Sequence, residues 1–165
     1  EYFNFRVHFN AVFGKINSPM KIDITTGDII TPSAVEYSYK SLFDDKTIPV
    51  MAYNKETVIA EKYETIIRRN ITNTRARDFY DLYKFFQLYR NTIDPKVLKS
   101  AVNNTAQKRN STSEIDDAVE IINEMRDERY LHNLWKNYTT TYAYAANITF
   151  NDLIDNLLDV TEFLK

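Results

Sequence analysis

From Tyr2 to Phe13 the side chains alternate. Phe3, Phe5, Val7, Phe9, Ala11 and Phe13 fall on one side of an extended chain, and Tyr2, Asn4, Arg6, His8 and Asn10 on the other. A period of two belongs to a strand and not to a helix. Six apolar side chains on one face call for a sheet with a second layer over it, because a lone hairpin is marginal in water. The pattern begins at once, with Glu1 ahead of it and no signal or targeting segment. This leads to the expectation that the chain is the C-terminal part of a longer protein, cut inside a sheet. The alternative is a native first strand without its initiator methionine. An open apolar face of this kind is also expected to promote self-association through the N-terminal strand.

Further strands follow. Met20, Ile22 and Ile24 alternate with Lys21, Asp23 and Thr25, and the turn signal from Gly14 to Pro19 makes a hairpin with the first strand plausible. Ser33 to Asp45 is read as an irregular, tyrosine-rich stretch, and Ile48 to Tyr53 as an edge strand next to Pro49. From Asn54 the period changes to 3.6. Helices are expected from Asn54 or Thr57 to Asn70, from Thr74 to Arg90, and from the Asp94-Pro95 cap to Arg109. After a polar break at 110–113, further helices cover Glu114 to Asp127, Leu131 to Tyr142, and a last segment capped by Thr149 that buries Leu153, Ile154, Leu157, Leu158 and Phe163. Strands first and helices after them make an α+β chain, divided into a sheet region over 1–53 and a helical bundle over 54–165.

Composition narrows the chemistry. The 165 residues contain no cysteine, two histidines and two glycines. That removes disulfides, thiol nucleophiles and Cys-ligated zinc, makes a His-built metal site improbable, and leaves too few glycines for a P-loop or a dinucleotide-binding turn. No apolar run approaches the 18 residues of a membrane span. The net charge is −2, but residues 54–110 carry twelve basic and six acidic residues, and 111–165 carry four basic and eleven acidic. Either anion handling belongs to the middle helices, or the two blocks neutralise each other when packed.

Three places could carry chemistry. Asp23 projects from its strand opposite Ile22 and Ile24, a rigidly held oxygen ligand suited to Mg²⁺ or an ordinary solvent-facing residue. Lys62 lies four residues after Val58 and four before Ile66, within or beside the apolar stripe of its helix. A lysine there must snorkel, pair with a carboxylate or face a cleft, where its ammonium would suit a triphosphate. On the next helix Arg75, Arg77, Asp78 and Asp81 are interleaved with Phe79, Tyr80, Leu82, Phe85 and Phe86. Arg75 and Asp78, and Arg77 and Asp81, are spaced to pair within that helix, or the four fix the lysine and contact nucleotide.

Lys21-Ile22-Asp23-Ile24, Ile59-Ala60-Glu61-Lys62 and Arg75-Ala76-Arg77-Asp78-Phe79-Tyr80-Asp81-Leu82-Tyr83 resemble, in order and spacing, the AbiEii/AbiGii toxin family of bacterial nucleotidyltransferases. The segments Trp135-Lys136-Asn137-Tyr138 and Thr149-Phe150 resemble its C-terminal region. The resemblance implies a polymerase-β-like nucleotidyltransferase sheet followed by helices, and transfer of a nucleotide from an NTP with Mg²⁺. It also implies the toxin half of a cytoplasmic toxin–antitoxin or phage-exclusion pair, with tRNA or another RNA as acceptor and an antitoxin protein as partner. Asp23 matches the family's second motif, a metal carboxylate. Lys62 matches the third, although an acidic residue that some members place four before it is Val58 here. Arg75 and Asp81 match the fourth, with Arg77 beside them at the nucleotide. The first motif, a Gly-rich turn with an Asp-x-Asp-like pair, is not in this sequence. The resemblance therefore implies that these 165 residues alone transfer no nucleotide. The rival expectation is a non-catalytic helical module that binds RNA or an antitoxin through the basic block and its tyrosines.

Overall fold

The computed structural model describes residues 4–165. The alternating strand is β1 (Phe5–Phe13), and it pairs antiparallel with β2 (Ile16–Ile24). Phe13 faces Ile16, so Gly14 and Lys15 form a two-residue turn, and Gly14 takes the positive φ of 58° that such a turn demands. The register sets Phe5 against Ile24, Val7 against Ile22 and Phe9 against Met20, which puts the apolar residues of both strands on one face. Tyr2 and Phe3 lie outside the described residues. None of these six apolar side chains is buried, and Phe13 at the turn is 83 % exposed. Among the described residues no second layer covers that face.

A second hairpin joins β3 (Val35–Lys40) to β4 (Thr47–Ala52), again antiparallel and separate from the first. The strand at 35–40 corrects the reading of 33–45 as irregular. Val35, Tyr37 and Tyr39 alternate with Glu36, Ser38 and Lys40, and β-branched and aromatic residues at period two are strand formers. The segment between the hairpins is pinned to the helices at Thr31. Asn54 donates from Nδ2 to the Thr31 carbonyl at 2.7 Å and caps the first helix by accepting from the Thr57 backbone at 2.8 Å. Asn104 reaches the Thr31 hydroxyl at 2.9 Å.

The remainder is helical: α1 (Lys55–Arg69), α2 (Ala76–Tyr89), α3 (Pro95–Arg109), α4 (Thr112–Asp116), α5 (Ala118–Arg126), α6 (Arg129–Thr141) and α7 (Phe150–Phe163). Caps fix the starts. Asp94 accepts from the Lys96 and Val97 backbones ahead of Pro95, and Thr149 forms a capping box with Asp152. The helix expected over 114–127 starts two residues earlier and is kinked at Asp117, where the Asp116-Asp117 pair is a poor helix former. Leu158 and Phe163 are half-buried where full burial was expected; Leu153, Ile154 and Leu157 are buried.

The core sits around α1, which packs against α2, α3, α4 and α5. Its Ile59, Ala60, Tyr63, Ile66 and Ile67 are buried with Phe79, Leu82 and Phe86 of α2, Leu98 and Val102 of α3, and Ile154 and Leu157 of α7. Tyr63 threads this core to bond Thr161 of α7 at 2.7 Å between hydroxyl oxygens. Burial pushes its hydroxyl up to about 12, against a lowering by that bond, from an ordinary 10.0. A folded-state value above the unfolded one means a contribution fully present below about pH 10 and lost as pH rises toward 12. Urea unfolding from pH 8 to 12 is therefore expected to show falling stability above pH 10, with a shallower fall in Tyr63→Phe; parallel curves would contradict it.

Candidate functional site

The seam between α1 and α2 places the site. On α1 the repeat that buries Ile59, Tyr63 and Ile66 brings Lys62 to the edge of the α1–α2 seam, leaving its side chain 26 % exposed. On α2 the repeat that buries Phe79, Leu82 and Phe86 turns Asp78 inward and Asp81 to the seam. The Lys62 ammonium donates to Asp78 Oδ1 at 2.6 Å and to Asp81 Oδ2 at 2.8 Å. Arg75 Nε lies 2.8 Å from Asp78 Oδ2 as an ion pair, without the alignment of a hydrogen bond. Arg77 Nε lies 3.7 Å from Asp81. Burial by itself would pull the Lys62 pKa down; the hydrogen bonds and fields of Asp78 and Asp81 overturn that and hold it above the usual lysine range.

Asp78 is 2 % exposed, so it works as an anchor rather than a ligand-facing group. Lys62, Arg75, Arg77 and Asp81 line an open cleft of about 650 Å³ together with the first turn of α2. That lies within the roughly 300–1,000 Å³ of small-molecule sites. Across it stands α6, which contributes Leu134, Asn137, Tyr138 and Thr141, with Tyr142 at its end. Three cations face two carboxylates here, and the positive end of the α2 dipole adds to the excess. The cleft suits an anion with an uncharged appendage.

Asp23 is not part of that cleft. It stands opposite Arg6 in the β1–β2 register, and the guanidinium grips it with both Nε and Nη2, the latter 3.0 Å from Oδ2. That grip holds its carboxyl below the usual aspartate range. Asn4 and Thr25 border both the groove around Asp23 and a basic depression lined by Arg68, Lys108 and Arg109; Arg75 borders that depression and the Lys62 cleft. Three adjoining depressions thus run from Asp23 to Lys62. For a resident Mg²⁺ the donor set does not fit: among the described residues no three His, Cys, Asp or Glu side chains converge, and Asp23, Asp78 and Asp81 are each paired with a cation.

A second charged cluster went unnoticed in the sequence. Glu64 of α1 is fully buried and accepts from Arg109 Nη1 at 2.5 Å, Arg68 Nε at 2.7 Å and Ser111 Oγ at 2.8 Å. Arg109 also bonds Glu61. Much of the basic middle block is therefore matched inside the block, and Arg90–Asp159 is an ion pair that joins it to the acidic tail.

A family model described as nucleotidyl transferase AbiEii toxin, type IV TA system, matches residues 1–156. Among curated proteins and solved structures none matches the chain.

The two carboxylates on Lys62 are unequal. Asp78→Ala strands a half-buried ammonium beside the weaker partner and is expected to cost roughly 3 kcal/mol. Asp81→Ala removes the more open of the two contacts and is expected to cost about 1 kcal/mol. Urea titrations of the two variants check this, and equal losses would contradict the anchoring role of Asp78.

Proposed function

The chain belongs to the AbiEii family of nucleotidyltransferase toxins of type IV toxin–antitoxin systems, and on that premise we propose that the Lys62 cleft receives the triphosphate of an NTP for transfer to an RNA acceptor such as tRNA. One observation carries the reading. A lysine ammonium, held by a buried carboxylate, opens into a cleft with two arginines and a helix N-terminus. Lys62 is the central phosphate contact. Arg75 and Arg77 add charge at the rim, and Asp81 orients Lys62 toward the nucleotide. In nucleotidyl transfer an acceptor hydroxyl loses its proton to solvent and forms a bond to the α-phosphorus, while the bond from the α-phosphorus to the bridging oxygen breaks and pyrophosphate leaves with that electron pair. The residues of the cleft hold and neutralise the leaving charge. Asp23, the most exposed of the candidate carboxylates, would offer one oxygen to a Mg²⁺ that arrives with the nucleotide, provided that Arg6 lets go of it.

In this reading the protein acts in the cytoplasm, where NTPs and tRNA are found, and an antitoxin protein is its partner. No helix among the described residues is long and apolar enough to cross a membrane. A second reading draws on the basic depression with Arg68, Lys108 and Arg109. There the chain is a non-catalytic module, and RNA binding is indifferent to Lys62. Calorimetric titration with each of the four NTPs in Mg²⁺ separates the two. Lys62→Ala is expected to weaken NTP binding at least about tenfold, and Arg75→Ala severalfold, with circular dichroism unchanged. Undiminished NTP binding by a folded Lys62→Ala variant would overturn the proposal.

A further inference from the structure

The wall of the Lys62 cleft opposite the charges is aromatic. Leu134, Asn137, Tyr138 and Thr141 recur along α6 at spacings of three, one and three, which is a single helical face, and Tyr142 continues it past the last turn. The adjoining face of α6 is tied to the core through Leu131 and Trp135, whose indole nitrogen donates to the Ile148 carbonyl at 2.8 Å. Trp135 stacks on Tyr138 with ring centres 5.2 Å apart and planes 20° from parallel. Tyr138 in turn lies 4.7 Å from Tyr142, and its hydroxyl meets that of Tyr144 at 2.8 Å. The rings therefore form a column that starts in the core and ends in the cleft. Tyr142, which lines the cleft beyond the end of α6, is 44 % exposed and lies 5.4 Å from the ring of Tyr144.

A tyrosine has an apolar ring that can stack and a polar tip that stays wet. Here Tyr142 keeps part of its ring open to a cleft that already has a phosphate-sized charge cluster on the opposite wall. We propose that Tyr142, backed by Tyr138, is the stacking platform for the nucleobase of the NTP whose phosphates meet Lys62. This rests on the phosphate assignment of the preceding section and adds the part of the ligand that assignment leaves unplaced. Stacking needs only a π-face, so the platform accepts any of the four bases, and the orienting rings cost little entropy because they are fixed before the ligand arrives.

The test compares ATP with inorganic tripolyphosphate, the same three phosphates without ribose and base, by calorimetry on the full chain. The wild-type protein is expected to bind ATP about tenfold or more tighter than tripolyphosphate. Tyr142→Leu is expected to bring ATP down to the tripolyphosphate affinity and leave tripolyphosphate binding where it was. Tyr142→Phe, which keeps the ring and loses the hydroxyl, is expected to retain the advantage of ATP. Equal binding of the two ligands by the wild-type protein overturns the platform, as does an ATP advantage that survives Tyr142→Leu. Tripolyphosphate binding that Lys62→Ala does not weaken overturns the phosphate assignment while leaving a base effect at Tyr142 measurable. If neither ligand binds, both assignments fail together.

Discussion

Lys62 and Glu64 stand two residues apart on a helix whose core face is built from Ile59, Ala60, Tyr63, Ile66 and Ile67, and each needs an opposite charge from a different neighbour. Two residues of an α-helix turn through about 200°, so the pair points to opposite flanks. Lys62 meets Asp78 and Asp81 of α2; Glu64 meets Arg109 at the end of α3. An unmatched charge in either place costs several kcal/mol, so α1 is held between α2 and α3 in one rotation and one register. The depression at Lys62 and the depression at Arg109 are the two outcomes of that constraint, and Arg75 borders both.

The helical region and the hairpins solve different problems. The bundle closes its own core around α1. The hairpins keep their residues largely exposed and are attached to the bundle through local bonds such as Asn54 to Thr31 and Asn104 to Thr31. The arginine grip on Asp23 is made entirely within the β1–β2 hairpin. A carboxylate gripped in this way is oriented before any ligand arrives.

Elements with a strong period were legible in the residues. The strand of phenylalanines, the Asp94-Pro95 cap and the Thr149 cap all stand where spacing puts them. The kink at Asp117 was not, because α4 and α5 keep one continuous apolar repeat through Ile115, Ala118 and Ile122. Lys62 was legible because a cation interrupts an apolar stripe. Glu64 breaks the same stripe between Ala60 and Ile67, so the same argument applied two positions further on would have found it. Its partner Arg109 lies 45 residues away, and no local spacing names it. The aromatic column was hidden for another reason. Twelve tyrosines in one chain look like a compositional trait, and only the relative placement of α2 and α6 shows which of them face the charges.

The central claim is that the Lys62 ammonium, though locked to two carboxylates, is the group that meets a nucleotide. Its own resonance reports on that most directly. In a ¹⁵N-lysine-labelled sample the ammonium signal of Lys62 can be followed during titration with ATP and Mg²⁺, beside that of Lys99, which lines a different cleft. The account predicts that the Lys62 signal moves in step with binding while that of Lys99 stays. Binding that leaves the Lys62 ammonium unmoved would contradict it.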